Sequence, residues 1–201
     1  MVAVAKSQTP EAIRAAYEAG CRDFGESYVQ ESMPKLEALR DLQATWHFIG
    51  HLQANKAREV AERFDWVHSV DRLRIAQSLS RTRPEASAPL NICIQVNISR
   101  EATKGGVAPS EALPLARDVA ALPRLRLRGL MGMASPTPDV RHQRAEFREL
   151  RETYEALVAG GHALDTLSMG MSDDFESAIA EGATMVRVGT AIFGAREQRA
   201  A

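Results

Sequence analysis

Short apolar runs alternate along this chain with longer stretches in which apolar positions recur every three or four residues. The runs at residues 2–6, 21–25, 45–50, 66–70, 90–98, 125–133, 164–169 and 185–192 read as strands, several of them apolar on both faces as in a buried parallel sheet. The stretches at 10–19, 28–42, 54–64, 72–81, 110–122, 140–158 and 173–181 read as helices. The first helix is marked at both ends, with Thr9 as N-cap, Pro10 at the first helical position and Gly20 as its stop. Strands that alternate with helices predict an α/β fold, a parallel sheet covered by helices. Roughly eight such units is the number that closes a TIM-type (β/α)8 barrel. An open doubly wound sheet is the alternative, and the lack of a Gly-x-Gly-x-x-Gly turn after the first strand counts against its dinucleotide-binding form. One barrel domain is expected over residues 1–201, with the Pro-rich stretch 134–138 as a loop. The chain opens directly on its first strand, and 194–201 is short for a closing helix, so the seam between last and first strands is expected to lack a cover.

Composition narrows the class of partner. Lys and Arg number 25 against 26 Asp and Glu, so no basic or acidic field points to nucleic acid or a membrane surface. No apolar run approaches the ~20 residues of a membrane helix, and no signal peptide is evident. Cys21 and Cys93 have no metal-type spacing, and Cys93, flanked by Ile92 and Ile94, reads as a small buried hydrophobe. A reducing, cytoplasmic location is expected.

Candidate chemistry gathers at strand ends. Lys6 closes the run Val2-Ala3-Val4-Ala5 and falls at the C-terminal end of the first strand, where parallel barrels carry their active groups. A partly desolvated amine loses its proton more readily and can form a Schiff base with a carbonyl compound. The plain alternative is a solvated lysine leaving a strand. Ser168-Met169-Gly170-Met171-Ser172-Asp173-Asp174 runs from the seventh strand into a helix, with Ser172 placed as N-cap and the helix N-terminus able to hold a phosphate. After the eighth strand Gly189 allows close backbone approach and Thr190 adds a hydroxyl. The loops after strands seven and eight form the usual phosphate site of such barrels. Alone, Ser172 reads as a cap, Arg187 as an ion-pair partner, and Gly189 and Gly194 as turns. Together they set an amine opposite a phosphate cradle, which suits a phosphorylated aldehyde such as pyridoxal 5'-phosphate (PLP).

Other polar positions carry less. His47 and His51 have no third ligand and sit on a strand and loop, so no metal site is expected; His47 is expected to line the barrel or touch the ligand. Asn97 should find a partner within the barrel. Residues 52–56, ending in Lys56, read as a solvated helix start, with a second anion patch as the alternative.

The stretches VAVAK, FGESYVQE, WHFIGHLQANK, LRLRGLMGM, SMGMSDDFESAI and VRVGTAIFG closely resemble the YggS/PROSC family of pyridoxal-phosphate homeostasis proteins, over nearly the whole chain. The resemblance implies a fold-type-III barrel like the N-terminal domain of bacterial alanine racemase, and a Schiff base between PLP and Lys6. It implies a phosphate held by Ser172, Gly189 and Thr190 with Met171 and Ser168 nearby, Arg187 facing the pyridine nitrogen, and Ser27 and Ile49 lining the pocket. Ser27 stands where the family usually has Asn. The resemblance also implies an additional N-terminal helix before the lysine strand, either cut off or lying upstream of residue 1, and without it an apolar groove is expected to be exposed, so that an added upstream segment should raise the melting temperature.

An arginine at the pyridine nitrogen keeps that nitrogen unprotonated and the ring a poor electron sink. Alanine racemase, by the family comparison, adds a tyrosine from a partner subunit's second domain. Here Tyr17, Tyr28 and Tyr154 fall in predicted outer helices, of which only Tyr28 starts near the barrel mouth. The expectation is a non-catalytic PLP carrier, monomeric, with PLP-dependent apoenzymes as recipients. A PLP-dependent amino-acid racemase is the alternative, a cofactor-free Schiff-base aldolase a third, and a pure interaction protein a fourth.

Overall fold

The computed structural model describes residues 1–101 and 104–194. Eight strands, β1 (Val2–Val4), β2 (Asp23–Glu26), β3 (Thr45–Phe48), β4 (Trp66–Val70), β5 (Leu90–Val96), β6 (Leu125–Gly132), β7 (Thr166–Ser168) and β8 (Arg187–Val188), alternate with helices. These helices are α1 (Pro10–Glu18), α2 (Val29–Ala38), α3 (Ala57–Arg63), α4 (Leu73–Thr82), α5 (Pro109–Ala120), α6 (Val140–Ala159), α7 (Phe175–Ala180) and α8 (Thr190–Phe193). Neighbouring strands pair in parallel in the order β7-β6-β5-β4-β3-β2-β1-β8. The ends then meet: Met169 N–H donates to the Met185 carbonyl and Arg187 N–H to that of Gly170, beside a parallel bridge between Ser168 and Met185. The result is a nearly closed (β/α)8 barrel, and the open-sheet alternative falls away.

The sequence signals for α1 hold: Pro10 opens it, the Thr9 hydroxyl accepts from Ala12 N–H, and Gly20 follows with φ +107. The last strand is corrected. The apolar run 185–192 forms a strand only over Arg187–Val188, with Met185 joined by the isolated bridge to Ser168, and from Thr190 the chain turns helical, with Ile192 and Phe193 donating back to the Gly189 carbonyl. Periodicity cannot separate a buried strand from a short buried helix in so brief a run. The stretch 54–64 likewise splits into a 3-10 turn, Ala54–Lys56, and α3. Of the segment 194–201, residues 195–201 lie outside the described residues.

The main core lies between strands and helices, where Phe24, Phe48, Phe64, Ile92, Phe147 and Leu150 are fully buried. The barrel interior differs from the Val, Ile and Leu layers usual in this architecture. Trp66, Cys93 and Met131 share it with His47 and His68, all of them buried. Desolvation pushes the Cys93 thiol up to about 12, so it behaves as the apolar side chain the sequence predicts. At the N-terminal end the Arg128 guanidinium lies 4.6 Å from the Trp66 ring centroid and bonds Asp165 and Asn91. No helix among the described residues is long and apolar enough to cross a membrane.

Candidate functional site

Lys6 lies two residues beyond the end of β1, after the buried Ala5, and is half-buried. Its backbone is gripped on both sides by α2. The Lys35 ammonium donates to the Ala5 carbonyl at 3.0 Å, and Ser7 N–H donates to the Glu31 carboxylate. Lys35 also pairs with Glu31 at 2.7 Å and with the fully buried Glu26 at 2.9 Å. Ser7 sits at φ +63, a left-handed conformation that a serine adopts only when its surroundings hold it there. The chain is thus turned sharply at Lys6, and a buried ion cluster fixes the turn.

Lys6 opens onto a cavity of about 210 Å³ whose wall also holds Met171, Ser172, Arg187, Gly189 and Thr190. Six of the nine site residues expected from sequence therefore share one cavity. Val4, Gln8, Asp173 and Gly194 complete the wall. Gln8 and Asp173 were not legible as site residues, because a polar residue in a loop carries no distinguishing pattern. Ser168, Ser27 and Ile49 stand outside this wall. Ser168 lies fully buried beneath Arg187. Ile49 packs on the open side of Gly25, and the Ser27 carbonyl occupies the place a side chain at Gly50 would take.

The capping role expected of Ser172 is corrected. Asp174 is the N-cap residue of α7, and its carboxylate accepts from Met171 N–H. The Ser172 hydroxyl instead faces Gly189 N–H at 3.4 Å, so the loops after β7 and β8 meet across the cavity. Asn97 is corrected too. It lies beyond β5 and donates to the Glu101 and Lys104 carbonyls of its own loop, because the strand ends at Val96. His47 lines the barrel interior, whereas His51 is exposed in the loop after β3. Lys56 pairs with Glu59, and Lys104 pairs with Glu101 and donates to the Ala134 carbonyl.

Arg187 is buried and donates to both oxygens of Ser168, at 2.8 and 2.7 Å, and to the Gly132 carbonyl at 3.1 Å. Among the described residues no carboxylate lies within ion-pair distance of it. Desolvation lowers its pKa to about 10, which still leaves a cation at neutral pH. Tyr154 donates its hydroxyl to the Leu164 carbonyl, Tyr17 lies under the Arg22 guanidinium, and Tyr28 is exposed.

The sequence profile of the alanine racemase N-terminal domain family matches residues 1–197. A pyridoxal phosphate homeostasis protein of Pseudomonas aeruginosa is 56% identical over 197 residues, covering 98% of this chain and 84% of that protein. The chain belongs to the pyridoxal phosphate homeostasis protein family. A second member of that family, from Escherichia coli K12, is 50% identical over 200 residues, with 98% of this chain and 86% of that protein covered. The structure of PipY from Synechococcus elongatus with PLP bound superposes with a TM-score of 0.88 at 39% identity, over 96% of this chain and 92% of PipY. Alanine racemase of Corynebacterium glutamicum shares the fold, with a TM-score of 0.77 at 16% identity over 97% of this chain and 56% of that one. For a member of the pyridoxal phosphate homeostasis protein family the donor chemistry of the cavity is apt. It offers an amine, a buried cation, two hydroxyls and a glycine amide around one small space.

Proposed function

We propose that this chain binds PLP reversibly through Lys6 and serves PLP homeostasis as a carrier. The observation that carries the reading is the meeting of Lys6 with Ser172, Arg187, Gly189 and Thr190 in one cavity. When bound, PLP supplies an aldehyde that condenses with an amine with loss of water, and a second amine can displace the first. Lys6 offers that amine at a fixed turn. The Gly189 amide and the Ser172 and Thr190 hydroxyls are assigned the phosphate, with Met171 beside them. Arg187 is assigned the pyridine nitrogen, toward which it can only donate. Ser168 supports Arg187 from below, and Ser27 and Ile49 are assigned to the lining of the cofactor pocket. Recipients are PLP-dependent apoenzymes in the cytoplasm, whose own lysines release the cofactor from a monomeric carrier. The carrier reading is further supported by Tyr17 and Tyr154, which are engaged on the outer layer and not at the cavity.

Two measurements test this. Borohydride reduction of the PLP-loaded protein, followed by peptide mapping, is expected to place a pyridoxyl group on Lys6, and Lys6→Ala is expected to abolish it. An adduct that persists on other peptides in Lys6→Ala at undiminished yield refutes the assignment. Deuterium exchange at Cα of amino acids no faster than with free PLP is expected for a carrier, and steady exchange well above that level would make the protein an enzyme.

A further inference from the structure

A continuous line of polar side chains crosses the barrel interior beneath the cavity. From Arg187 the Nη1 donates to Ser168 Oγ at 2.7 Å. Ser168 Oγ lies 2.8 Å from His68 Nδ1. His68 Nε2 lies 2.9 Å from His47 Nδ1, and His47 Nε2 lies 3.1 Å from Asp23 Oδ1 at the start of β2. Ser168, His68 and His47 are fully buried, whereas Asp23 is 40% exposed.

The two ends fix the direction of every bond between them. A guanidinium has only donors, and an ionised carboxylate only acceptors. Ser168 Oγ accepts from Arg187, so its own proton is free to go to His68 Nδ1. His68 then carries its proton on Nε2 and donates to His47 Nδ1, and His47 carries its proton on Nε2 and donates to Asp23. No other assignment makes all four bonds with both rings neutral. Burial holds the His68 imidazole well below the ordinary histidine range, and the Arg187 charge pushes the same way. The bond from His47 holds the Asp23 carboxyl below its usual value. The groups facing the two rings are Asp23, Ser168, Trp66 and Arg187.

We propose that Asp23, His47 and His68 are positioning residues that act as a polarised hydrogen-bond wire, holding Arg187 in place as the cofactor-facing donor from the far end of the barrel. A buried guanidinium without an ion-pair partner is costly. Chains of aligned hydrogen bonds polarise one another, so a carboxylate at one end offsets a cation at the other without either leaving its place. The direction of the wire also stops the Ser168 hydroxyl from pointing its proton at Arg187. The role in cofactor binding rests on the assignment of Arg187 to the pyridine nitrogen; the wire itself does not.

The test reads the wire first in the cofactor-free protein. Long-range proton–nitrogen NMR spectra at pH 7 are expected to show His47 and His68 both neutral and protonated on Nε2. Either ring charged, or protonated on Nδ1, overturns the wire. Asp23→Asn removes the charge at the exposed end and is expected to shift the His68 and Arg187 side-chain nitrogen resonances. In the PLP-loaded protein it is expected to move the visible absorbance maximum and weaken PLP uptake several-fold, with Asp23→Glu restoring both. An Asp23→Asn protein that folds normally but leaves the Arg187 resonances and the cofactor spectrum unmoved overturns the positioning role. If the unaltered chain takes up no PLP, the cofactor assignment fails, and the ring nitrogens of the cofactor-free protein still decide the wire.

Discussion

Lys35→Met is expected to destabilise the protein by about 3–5 kcal/mol at neutral pH, because it strands a buried carboxylate. Glu26 is fully buried, with one oxygen on Lys35 and the other without a hydrogen-bond partner among the described residues. Desolvation raises its pKa even with Lys35 in place. A carboxyl with a raised folded-state pKa binds more protons folded than unfolded between its ordinary value and the raised one. Its contribution to stability is therefore fully present below the ordinary value and is lost as pH rises through the folded value. Removing Lys35 widens that window upward. The variant should thus lie close to the parent near pH 4, and the deficit should open as pH approaches 7. Urea midpoints at the two pH values read this directly. A deficit of equal size at both would show that packing, and not the Glu26 charge, carries the loss. Adding Glu26→Gln to Lys35→Met should recover much of the neutral-pH deficit, as expected of coupled neighbours. Lys35→Met should also slow PLP uptake, because the Ala5 carbonyl loses its donor and the turn at Lys6 loosens.

Gly129→Ala is expected to destabilise by at least ~3 kcal/mol, enough to deplete the soluble protein. A Cβ at Gly129 would lie 1.7 Å from the Thr166 carbonyl oxygen and 2.7 Å from its carbon. Both atoms belong to backbone, so no side-chain rotation relieves the clash. Gly129 is also where β6 pairs β5 just past a register shift between Ile92 and Cys93, and it faces Thr166 across the pairing with β7. Moving it would disturb both ladders and the strand that ends in Ser168. The control is Gly105→Ala, whose nearest neighbours are side-chain atoms at 3.5 Å or more and whose midpoint should shift by less than ~0.5 kcal/mol. Equal shifts for the two glycines would contradict the close-approach argument.

Much of the site was legible because its residues follow strand ends. Lys6 after an apolar run, and Gly189 and Thr190 after the last strand, mark the mouth of a barrel without any long-range information. What failed was local detail that depends on neighbours. Ser172 looks like a helix cap in isolation, yet it turns to Gly189 on the adjacent loop. Asn97 looks like a barrel-lining residue in an apolar run, yet its strand stops one residue earlier. His68 gave no signal of its own, since a histidine within Trp66-Val67-His68 fits a strand of either facing.

The sequence by itself determined the alternation of strand and helix, the number of units, and the place of Lys6 at the end of the first strand, whereas closure into a barrel was decided by the pairing of β7 with the segment leading into β8. Periodicity and end signals are properties of adjacent residues, and they survive without knowledge of what packs against them. Only the tertiary structure decided how Lys6 and Arg187 are held. Glu26, Glu31 and Lys35 converge on the first from one helix and a neighbouring strand. Asp23, His47, His68 and Ser168 converge on the second from four different strands. Such clusters join residues up to 100 positions apart. Their polar members are stable in the interior only because each meets a partner there, and the packing of α2 on β2 for the first cluster and the barrel for the second bring those partners within hydrogen-bond distance.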